Sequence, residues 1–510
     1  MVRSNPFKKA LPLLISKQKF YLFFLGLVLI LTGQVFADEY SIQDIALTPG
    51  RNISEVNINW YSAIENDTDT DNLVQIAPKA AMQNQEFPSE SSVSHYTTRS
   101  SAAAGYNSHK AVLTSLSAST EYVYRIGDGG DDNDNWTPIY ELKTGSPNQF
   151  SFFAVGDPQL GTASDIAGWT LTLNIAFDTF SSTDFILCVG DQVEVNNDES
   201  QFSGFLAPQQ LKNIPLAPAL GNHDDGAYNT GYHFNLPNLS TQYGVTDPGI
   251  GDYYFTYGNT LFIVLNSNYD INTIILDLLN YDKGASHEVF ISNAIAQNPD
   301  VLWKIVMFHH DIFGSGYSST EASTGHFRGA IVPILDKYEI DVVITGHDHS
   351  YTRSHVLKWD NDQNRAIIDP TGTVYFTLNS ASGSKYGWLN EATSYWEAVR
   401  SQPEAPNFSY VSINNNQLTF TTYRTDYLED DNTENDIIDT FSIVKDDPGD
   451  VNHDGNINIL DALLVARYYV GFELTDFDPA LADTDCNNSV TILDALLIAR
   501  FYVGLVSRFC

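Results

Sequence analysis

Six apolar runs between residues 150 and 345 constrain the fold of this 510-residue chain more than any other feature. Helix-like stretches separate the runs, and this alternation indicates an α/β layered domain. The runs cover 150–155, 185–189, 214–220, 261–265, 301–308 and 341–345. Further strands are predicted at 373–377, 417–421 and 441–444. We therefore predict an α/β domain over residues 148–446.

Five of the six runs end abruptly in residue types that bind metal ions. The motifs are Gly156-Asp157-Pro158-Gln159, Gly190-Asp191, Gly221-Asn222-His223-Asp224, His309-His310 and Gly346-His347-Asp348-His349. The carboxyl ends of strands in an open α/β sheet converge on one crevice, so residues far apart in the chain can meet there. A glycine before the ligand permits a tight turn and a close backbone approach.

The mixture of oxygen and imidazole donors in these motifs predicts two transition-metal ions. Such donors suit iron, manganese or zinc better than calcium, and the absence of thiolates argues against a closed structural zinc site. Two ions need about eight protein contacts with one ligand shared, and Asp191 is the natural bridge. A metal pair of this kind activates water and neutralises phosphoryl oxygens during in-line displacement. The candidate ligands are Asp157, Gln159, Asp191, Asn222, His309, His347 and His349.

Other polar residues of the same motifs are candidates for catalysis and substrate contact. We predict that His223 stabilises or protonates the leaving oxygen and that Asp224 orients its ring. Tyr351 and Arg353 are candidates for contacts with the substrate, with packing or hydrogen bonding at the rim as the alternative. Any one strand-end residue is more often structural than functional, and the prediction depends on the whole set occurring in this order.

On these motifs the segment from about 150 to 445 resembles the calcineurin-like metallophosphoesterase family. The resemblance implies an α/β/α sandwich around a binuclear centre. It also favours His309 over His310 as the ligand, which leaves His310 as an outer contact. The implied ligand sets are Asp157, Gln159, Asp191 and His349 for one ion, and Asp191, Asn222, His309 and His347 for the other.

The segment before this domain has short alternating apolar runs with frequent turns, which predict a fibronectin III or Ig-like β-sandwich over residues 38–147. Its stretch 122–127, followed by the metal-binding domain, resembles the two-domain layout of purple acid phosphatases, and so does Gly346 to Arg353. Those enzymes carry a tyrosine three residues after the bridging aspartate, where this chain has Glu194. We therefore expect no iron-tyrosinate colour. Gln159 also departs from the usual residue, although its amide oxygen can still bind a metal.

The C-terminal segment, residues 447–510, contains an internal repeat in which 450–471 matches 483–504. Each copy has a twelve-residue loop with oxygen donors at positions one, three, five, nine and twelve, which predicts two Ca²⁺ sites. The segment resembles a type I dockerin, which implies a small α domain and a cohesin-like protein partner. Positions ten and eleven are Ile-Leu in both copies instead of the usual hydroxyl residues, and this leaves the partner's identity open. The candidate ligands are Asp450, Asn452, Asp454, Asn458 and Asp461, then Asp483, Asp485, Asn487, Thr491 and Asp494.

The N-terminus has the layout of a secretory signal peptide. Basic residues precede an apolar run at 20–31, and a small-x-Ala end follows at Ala37. We therefore predict cleavage after residues 1–37 and a chain that is extracellular, on the cell surface or periplasmic, with no later membrane span. Among the three cysteines, Cys188 is predicted to be buried, and Cys486 and Cys510 can pair.

A net charge of −37 repels polyanions, so long nucleic acid is excluded as a substrate class. The first hypothesis is a secreted, acid phosphatase-like hydrolase that cleaves small phosphate monoesters by metal-activated water. One alternative is a phosphodiesterase acting on nucleotides or phospholipid head groups. Another is a non-catalytic scaffold or adhesion protein assembled through the C-terminal module, although the intact pair Asn222 and His223 argues against a decayed enzyme.

Overall fold

The computed structural model describes residues 42–64, 73–103, 105–127, 136–269, 284–426, 436–445, 448–475, 477–506 and 509. The predicted signal peptide and Cys510 lie outside these residues. No helix within the described ranges is both long enough and apolar enough to cross a lipid bilayer. Short 3₁₀ segments lie at Lys79–Ala81, Ser89–Ser91, Gln209–Lys212 and Ser318–Thr320.

The N-terminal domain consists of two antiparallel sheets, with strand orders β1-β2-β6-β5 and β4-β3-β7-β8. Their inward side chains form one core that includes Ile58 and Trp60 from one sheet and Tyr124 and Ile126 from the other. The alternating pattern of the sequence therefore comes from strands with one face on this core. The strands are β1 Ile42–Pro49, β2 Val56–Ala63, β3 Leu73–Pro78, β4 Val93–Tyr96, β5 Thr98–Ser101, β6 Tyr106–Leu113, β7 Glu121–Gly127 and β8 Tyr140–Lys143.

The central domain contains two mixed sheets. The first has the order β11-β10-β9-β21-β22-β23 and the second has the order β12-β13-β14-β15-β19-β16-β20, with a separate hairpin of β17 and β18. Strands β9, β10 and β11 are parallel in the first sheet, and β13, β14, β15 and β19 are parallel in the second. The strands are β9 Gln149–Val155, β10 Phe185–Cys188, β11 Leu216–Pro218, β12 Tyr253–Tyr257, β13 Thr260–Val264, β14 Trp303–Met307, β15 Val342–Thr345, β16 Tyr351–Ser354, β17 Leu357–Asp360, β18 Arg365–Ile368, β19 Val374–Thr377, β20 Glu397–Ser401, β21 Asn407–Asn414, β22 Gln417–Arg424 and β23 Ile437–Val444.

The two sheets pack face to face, with helices on their outer faces. Between the sheets, the Phe262 ring meets Phe152 at 5.5 Å and Phe185 at 5.4 Å. On the outside, Phe177 of one helix packs against Phe153 of β9, and two further helices share a second core with β13, β14 and β15. The α/β/α sandwich that the family resemblance implies thus consists of a pair of sheets between helices. The helices are α1 Ala163–Thr179, α2 Glu199–Leu206, α3 Asn229–His233, α4 Ala285–Gln297 and α5 Ala322–Lys337.

The N-terminal domain packs against the central domain through the outer face of β2 and β6. Lys110 Nζ donates to the carbonyl oxygens of Gly231 and Phe234 at 2.6 and 2.7 Å. Asn57 Nδ2 donates to the Asn235 carbonyl oxygen at 2.7 Å. Both faces of β2 are therefore buried, and the segment around α3 is tied to the neighbouring domain.

The C-terminal segment contains three helices around a small core formed by Val451, Val465, Ala482 and Ile498. Leu463 and Leu496, also on the repeat's apolar stripe, are instead 53% exposed each. Cys188 is a buried free cysteine, as its apolar surroundings indicate, and Cys486 is disulfide-bonded. The helices are α6 Ile459–Tyr469, α7 Pro479–Ala482 and α8 Ile492–Tyr502.

Candidate metal centre

The predicted transition-metal ligands follow the carboxyl ends of five parallel strands, drawn from both central sheets. The first sheet supplies Asp157 and Gln159 after β9, Asp191 after β10 and Asn222 after β11. The second supplies His309 after β14, and His347 and His349 after β15. The crevice therefore lies where the strand ends of two packed sheets meet, and not at the edge of one open sheet.

Two groups of metal-binding side chains form in this crevice, and they share Asp191. In the first, one ligand atom from each of Asp191, His309 and His347 lies within 4.8 Å of the others. In the second, the same holds for Asp157, Asp191 and His349. A carboxylate common to two such groups has the placement that a bridging ligand needs.

Hydrogen-bond chemistry provides a test of whether these residues fit a cation. The Nδ1 atom of His309 donates to the Val189 carbonyl oxygen at 3.0 Å, so Nε2 is the ring atom that faces the crevice and offers a lone pair once it has lost its proton. Around Nε2 lie Asn222 Oδ1 at 3.0 Å, His347 Nδ1 at 3.1 Å and Asp191 Oδ2 at 3.4 Å. The buried Gln159 Oε1 has no hydrogen-bond partner in the part of the chain described. Oxygen and nitrogen atoms that can donate electron pairs therefore converge in the crevice, and this set of residues is suited to binding a pair of metal ions.

The backbone is strained at five of the seven candidate ligands. The φ angle is 41° at Asp157, 43° at Gln159, 50° at Asp191, 70° at His347 and 48° at His349. Residues with a side chain seldom adopt positive φ, and such conformations cost on the order of 1–3 kcal/mol each. Clusters of them mark functional sites, because the surrounding fold must hold them in place.

Glycines beside the ligands allow the strand ends to approach closely. A Cβ atom on Gly190, whose φ is 106°, would lie 2.7 Å from His309 Nδ1. A Cβ atom on Gly346 would overlap with the Asp157 carboxylate. The glycines of the sequence motifs therefore leave room for the ligands themselves.

The charges in the crevice favour the protonation states that metal binding requires at Asp191 and His347. Burial opposes ionisation of Asp191, but the charge of His309 outweighs it and holds the Asp191 pKa well below its usual range. Burial and the charge of His309 lower the pKa of His347 to about 3, so its ring is neutral. Burial lowers the pKa of His309, but the charges of Asp191 and Asp157 outweigh this effect and raise it to about 9.

His223 lies beside the shared aspartate, with its side chain 30% exposed. Its backbone N–H donates to Asp191 Oδ1 at 2.8 Å, and its Nδ1 lies 2.8 Å from the Glu194 carbonyl oxygen. Asp224 instead accepts from the backbone N–H groups of Gln192 and Gly221, each at 2.9 Å. The prediction that Asp224 orients the His223 ring is therefore wrong. Glu194 orients the ring, and Asp224 fixes the loops that follow β10 and β11.

The three candidates for substrate contact have partners within the protein. His310 is buried, its Nδ1 lies 2.8 Å from Ser267 Oγ, and its ring packs 4.7 Å from that of His347, which is an outer position. Tyr351 and Arg353 both donate to Asp439 Oδ2, at 2.8 and 2.6 Å. For these two residues the structure supports hydrogen bonding within the fold and not contact with a substrate.

Sequence reasoning missed Lys385, which contacts both Glu194 and His349. Its Nζ is 3.0 Å from Glu194 Oε2, and its carbonyl oxygen is 3.3 Å from His349 Nδ1. The signal was available, because Lys385 ends the small-residue stretch 380–385 that follows the parallel strand β19. This strand has no metal-binding motif at its end, so the sequence does not indicate that the residues after it lie near the crevice.

In each C-terminal loop the acidic side chains accept hydrogen bonds from backbone N–H groups of the same loop. Asp450 accepts from the backbone N–H groups of Asp454 and Gly455 at 3.1 and 2.8 Å, and Asp483 accepts equivalent bonds in the second loop. Asn458 and Thr491 cap α6 and α8, and the buried Asp461 and Asp494 complete reciprocal capping boxes. Ligand atoms of Asp483, Asp485 and Asp494 lie within 4.8 Å of one another. The second loop thus gathers carboxylates at positions one, three and twelve.

Three family models match the chain in the order that the resemblances suggested. Residues 42–144 match the purple acid phosphatase N-terminal domain, 150–351 the calcineurin-like phosphoesterase family and 448–501 the dockerin type I domain. The resemblances drawn from the motifs are confirmed.

Individual relatives are distant. An uncharacterized protein of Mycobacterium tuberculosis is 25% identical over 320 residues, covering 54% of this chain and 58% of the relative. A probable inactive purple acid phosphatase of Arabidopsis thaliana is also 25% identical, covering 48% of this chain and 43% of the relative. The chain thus spans about half the length of these relatives.

A solved structure has the same architecture. A purple acid phosphatase from yellow lupin (Lupinus luteus) seeds matches with a TM-score of 0.60 at 17% identity, covering 80% of this chain and 75% of the lupin chain. The likeness shows a common fold of N-terminal domain plus metallophosphoesterase domain.

Proposed function

We propose that this chain, with its calcineurin-like phosphoesterase, purple acid phosphatase N-terminal and dockerin type I modules, is a secreted hydrolase of small phosphate monoesters. The observation that carries the proposal is the pair of ligand groups that share Asp191. An ordinary structural role for these residues does not account for converging electron-pair donors, a buried amide oxygen without a partner and five strained ligand backbones.

The proposed ligand sets are those implied by the family, with Asp191 common to both. When bound, a pair of transition-metal ions supplies a nucleophile at neutral pH and neutralises charge on the phosphoryl group. The protein holds these ligands in place before substrate arrives, through hydrogen bonds from His309 Nδ1 to the Val189 carbonyl oxygen and from the His347 N–H to the Asp157 carboxylate. Fixing donors in advance lowers the reorganisation that the reaction requires.

His223 is the proposed acid for the leaving oxygen. Because the Glu194 carbonyl oxygen only accepts, His223 Nδ1 carries a proton, and Nε2 is the ring atom left to hold or release a second one. The partial exposure of the ring gives an incoming ester access to it. The bond from the His223 N–H to Asp191 keeps the ring beside the shared ligand. The ring can therefore act next to the metal pair without binding it.

The comparison with a probable inactive relative keeps a non-catalytic role as the second candidate. Bound metal and turnover should be measured on the purified mature chain, with p-nitrophenyl phosphate and bis-p-nitrophenyl phosphate as substrates. The proposal predicts two transition-metal ions per chain and faster cleavage of the monoester. Faster cleavage of the diester would instead support a phosphodiesterase acting on nucleotides or phospholipid head groups. No bound transition metal would leave only the scaffold role.

The dockerin type I match implies a cohesin partner. We propose that this partner binds the exposed residues at loop positions ten and eleven of each repeat copy. Ile459 and Leu460 are 52% and 55% exposed, and their counterparts Ile492 and Leu493 are 48% and 57% exposed. An apolar pair in both copies favours a partner surface that is itself apolar at this point. Calcium-dependent binding of purified cohesins to the full chain, lost on changing both pairs to Ser-Thr, would test this proposal.

A further inference from the structure

A further group of metal-binding side chains lies outside both the crevice and the C-terminal loops, between the N-terminal and central domains. Asp44 belongs to β1, Glu199 begins α2 and His233 ends α3. One ligand atom from each lies within 4.8 Å of the other two. Neither the sequence motifs nor the family matches point to these residues.

The three side chains are held in position by the fold. His233 Nε2 lies 2.8 Å from Glu199 Oε2, and Asn229 Nδ2 donates to the other oxygen of Glu199. Ser203 Oγ donates to Asp44 Oδ2 at 2.9 Å. Asp44 has a φ of 52° at an irregularity of the β1–β2 pairing, which turns it out of the regular ladder.

A buried hydroxyl without a partner provides an independent indication of a ligand. Tyr61 is fully buried, and its hydroxyl makes no hydrogen bond in the described structure. Its ring stacks on the buried ring of His233 at 4.3 Å. A buried polar atom left without a partner is unfavourable unless something else satisfies it.

The negative charge of the two carboxylates in this group also favours binding of a cation. Two carboxylates and one imidazole meet at a domain boundary, and no lysine or arginine of the described ranges pairs with either carboxylate. Asp44 and Glu199 are partly exposed, which leaves an ion a route from solvent.

We propose that Asp44, Glu199 and His233 bind a third transition-metal ion, zinc or manganese, that clamps the N-terminal domain to the central domain. Two carboxylate oxygens and an imidazole nitrogen are ligands that such ions accept, with remaining positions left for water or the Tyr61 hydroxyl. His233 ends the segment that begins at Gly221 and carries His223. The ion therefore stabilises the docking of the segment that presents the proposed acid. The proposal does not depend on hydrolysis.

Metal stoichiometry tests the site directly. Metal ions would first be removed from the mature full chain with a chelator. The chain would then be reloaded with either Zn²⁺ or Mn²⁺ as the single transition metal, in the presence of excess Ca²⁺ to fill the C-terminal loops, desalted and analysed for metal ions per chain. Glu199→Gln and Asp44→Asn should each bind one ion fewer than the unmodified chain. The control Asp178→Asn, at the exposed end of α1, should bind the full number. Equal metal content in all four proteins would overturn the proposal.

An anomalous difference map gives a second readout that does not depend on the variants folding. Crystals of the zinc-loaded unmodified chain should show a peak within about 2.0–2.2 Å of His233 Nε2, in addition to density in the crevice. Density in the crevice alone would mean that the three side chains form only a hydrogen-bonded contact, and the proposal would be rejected.

Discussion

The crevice of the central domain and the C-terminal loops are both metal-binding regions by sequence, yet they are built in opposite ways. The candidate ligands of the crevice are spread from Asp157 to His349 and meet only because two sheets pack together. Each C-terminal loop keeps its ligands within twelve consecutive residues that lead into a capped helix. The first site depends on long-range packing, whereas the second depends on one local turn, so a change in one should leave the other intact.

The largest expected effect comes from Asp191→Asn, because this carboxylate belongs to both ligand groups of the crevice. We expect kcat/KM for p-nitrophenyl phosphate to fall on the order of 10⁴-fold, as for other losses of a central catalytic group. Transition-metal content should fall with it, while calcium content stays unchanged. Asp178→Asn is the matched control, since it makes the same chemical change on the surface. Full metal content in Asp191→Asn would contradict the role of Asp191 as a ligand shared by the two metal ions.

His223→Ala should separate metal binding from chemistry within the crevice. The loss of a positioned acid lowers kcat about 10³-fold, while the two ions stay bound because His223 belongs to neither ligand group. Metal analysis and steady-state kinetics on the same sample provide the test. His326→Ala, at an exposed position on α5, is the control. A parallel loss of metal and turnover would make His223 a ligand instead.

Gly346→Ala tests how closely the strand ends approach each other. The added methyl group overlaps with the Asp157 carboxylate, and such overpacking costs about 1–3 kcal/mol. We expect weaker transition-metal binding and a lower unfolding free energy. Gly329→Ala, where a Cβ meets nothing within 4 Å on α5, should instead stabilise the fold by about 0.5–1 kcal/mol. The unfolding free energies of both variants would be measured with a denaturant. Equal changes in the two variants would contradict the close approach of Gly346 to the Asp157 carboxylate.

The pH dependence of metal affinity should also distinguish the two regions. His309 has a pKa raised to about 9, and a ligand must lose its proton before it binds a metal. Affinity in the crevice should therefore fall as pH drops below about 9, by up to about tenfold per pH unit. The candidate calcium ligands of the C-terminal loops are all oxygen donors, so their calcium affinity should change little over the same range. Metal titrations at several pH values would measure the affinity of each region. The same pH dependence in the crevice and in the C-terminal loops would contradict the prediction.

Calcium removal should have the smallest effect on catalysis. Chelation of calcium should loosen α6 and α8, because the acidic loops that precede them lose the cation that balances their charge. Circular dichroism should report the lost helix, while phosphatase activity stays within about twofold, since the crevice takes no ligand from this segment. A large loss of activity would mean that the two regions are coupled.

The sequence was most informative where ligands follow strands directly. Each predicted strand of the central domain is present, and the fully buried ones read as continuous apolar runs bounded by turns. The same property hid the division into two sheets. A strand covered on both faces shows no alternation, so nothing in its residues indicates which sheet it joins. The sandwich could therefore be expected from the family resemblance, whereas the assignment of each strand to one of the two sheets could not be read from its residues.

Side-chain direction was the least predictable feature. Asp224 follows His223 in the chain, yet it turns toward backbone N–H groups while Glu194 receives the ring's hydrogen bond. Tyr351 and Arg353 lie close to His349 in sequence, but both bind Asp439 from a distant strand. Neighbouring residues in tight turns point in different directions, and only the packed fold determines their partners. The left-handed backbone at five ligands is likewise a consequence of packing, since none of those residues is glycine.

The most direct test of the account is anomalous diffraction from crystals loaded with a single transition metal. We expect two strong peaks in the crevice, about 3.5–4 Å apart, with one Asp191 oxygen or both between them. We also expect His309 and His347 at one peak, and Asp157 and His349 at the other. A single peak, or a pair that Asp191 does not bridge, would contradict the assignment of this domain as a binuclear phosphoesterase.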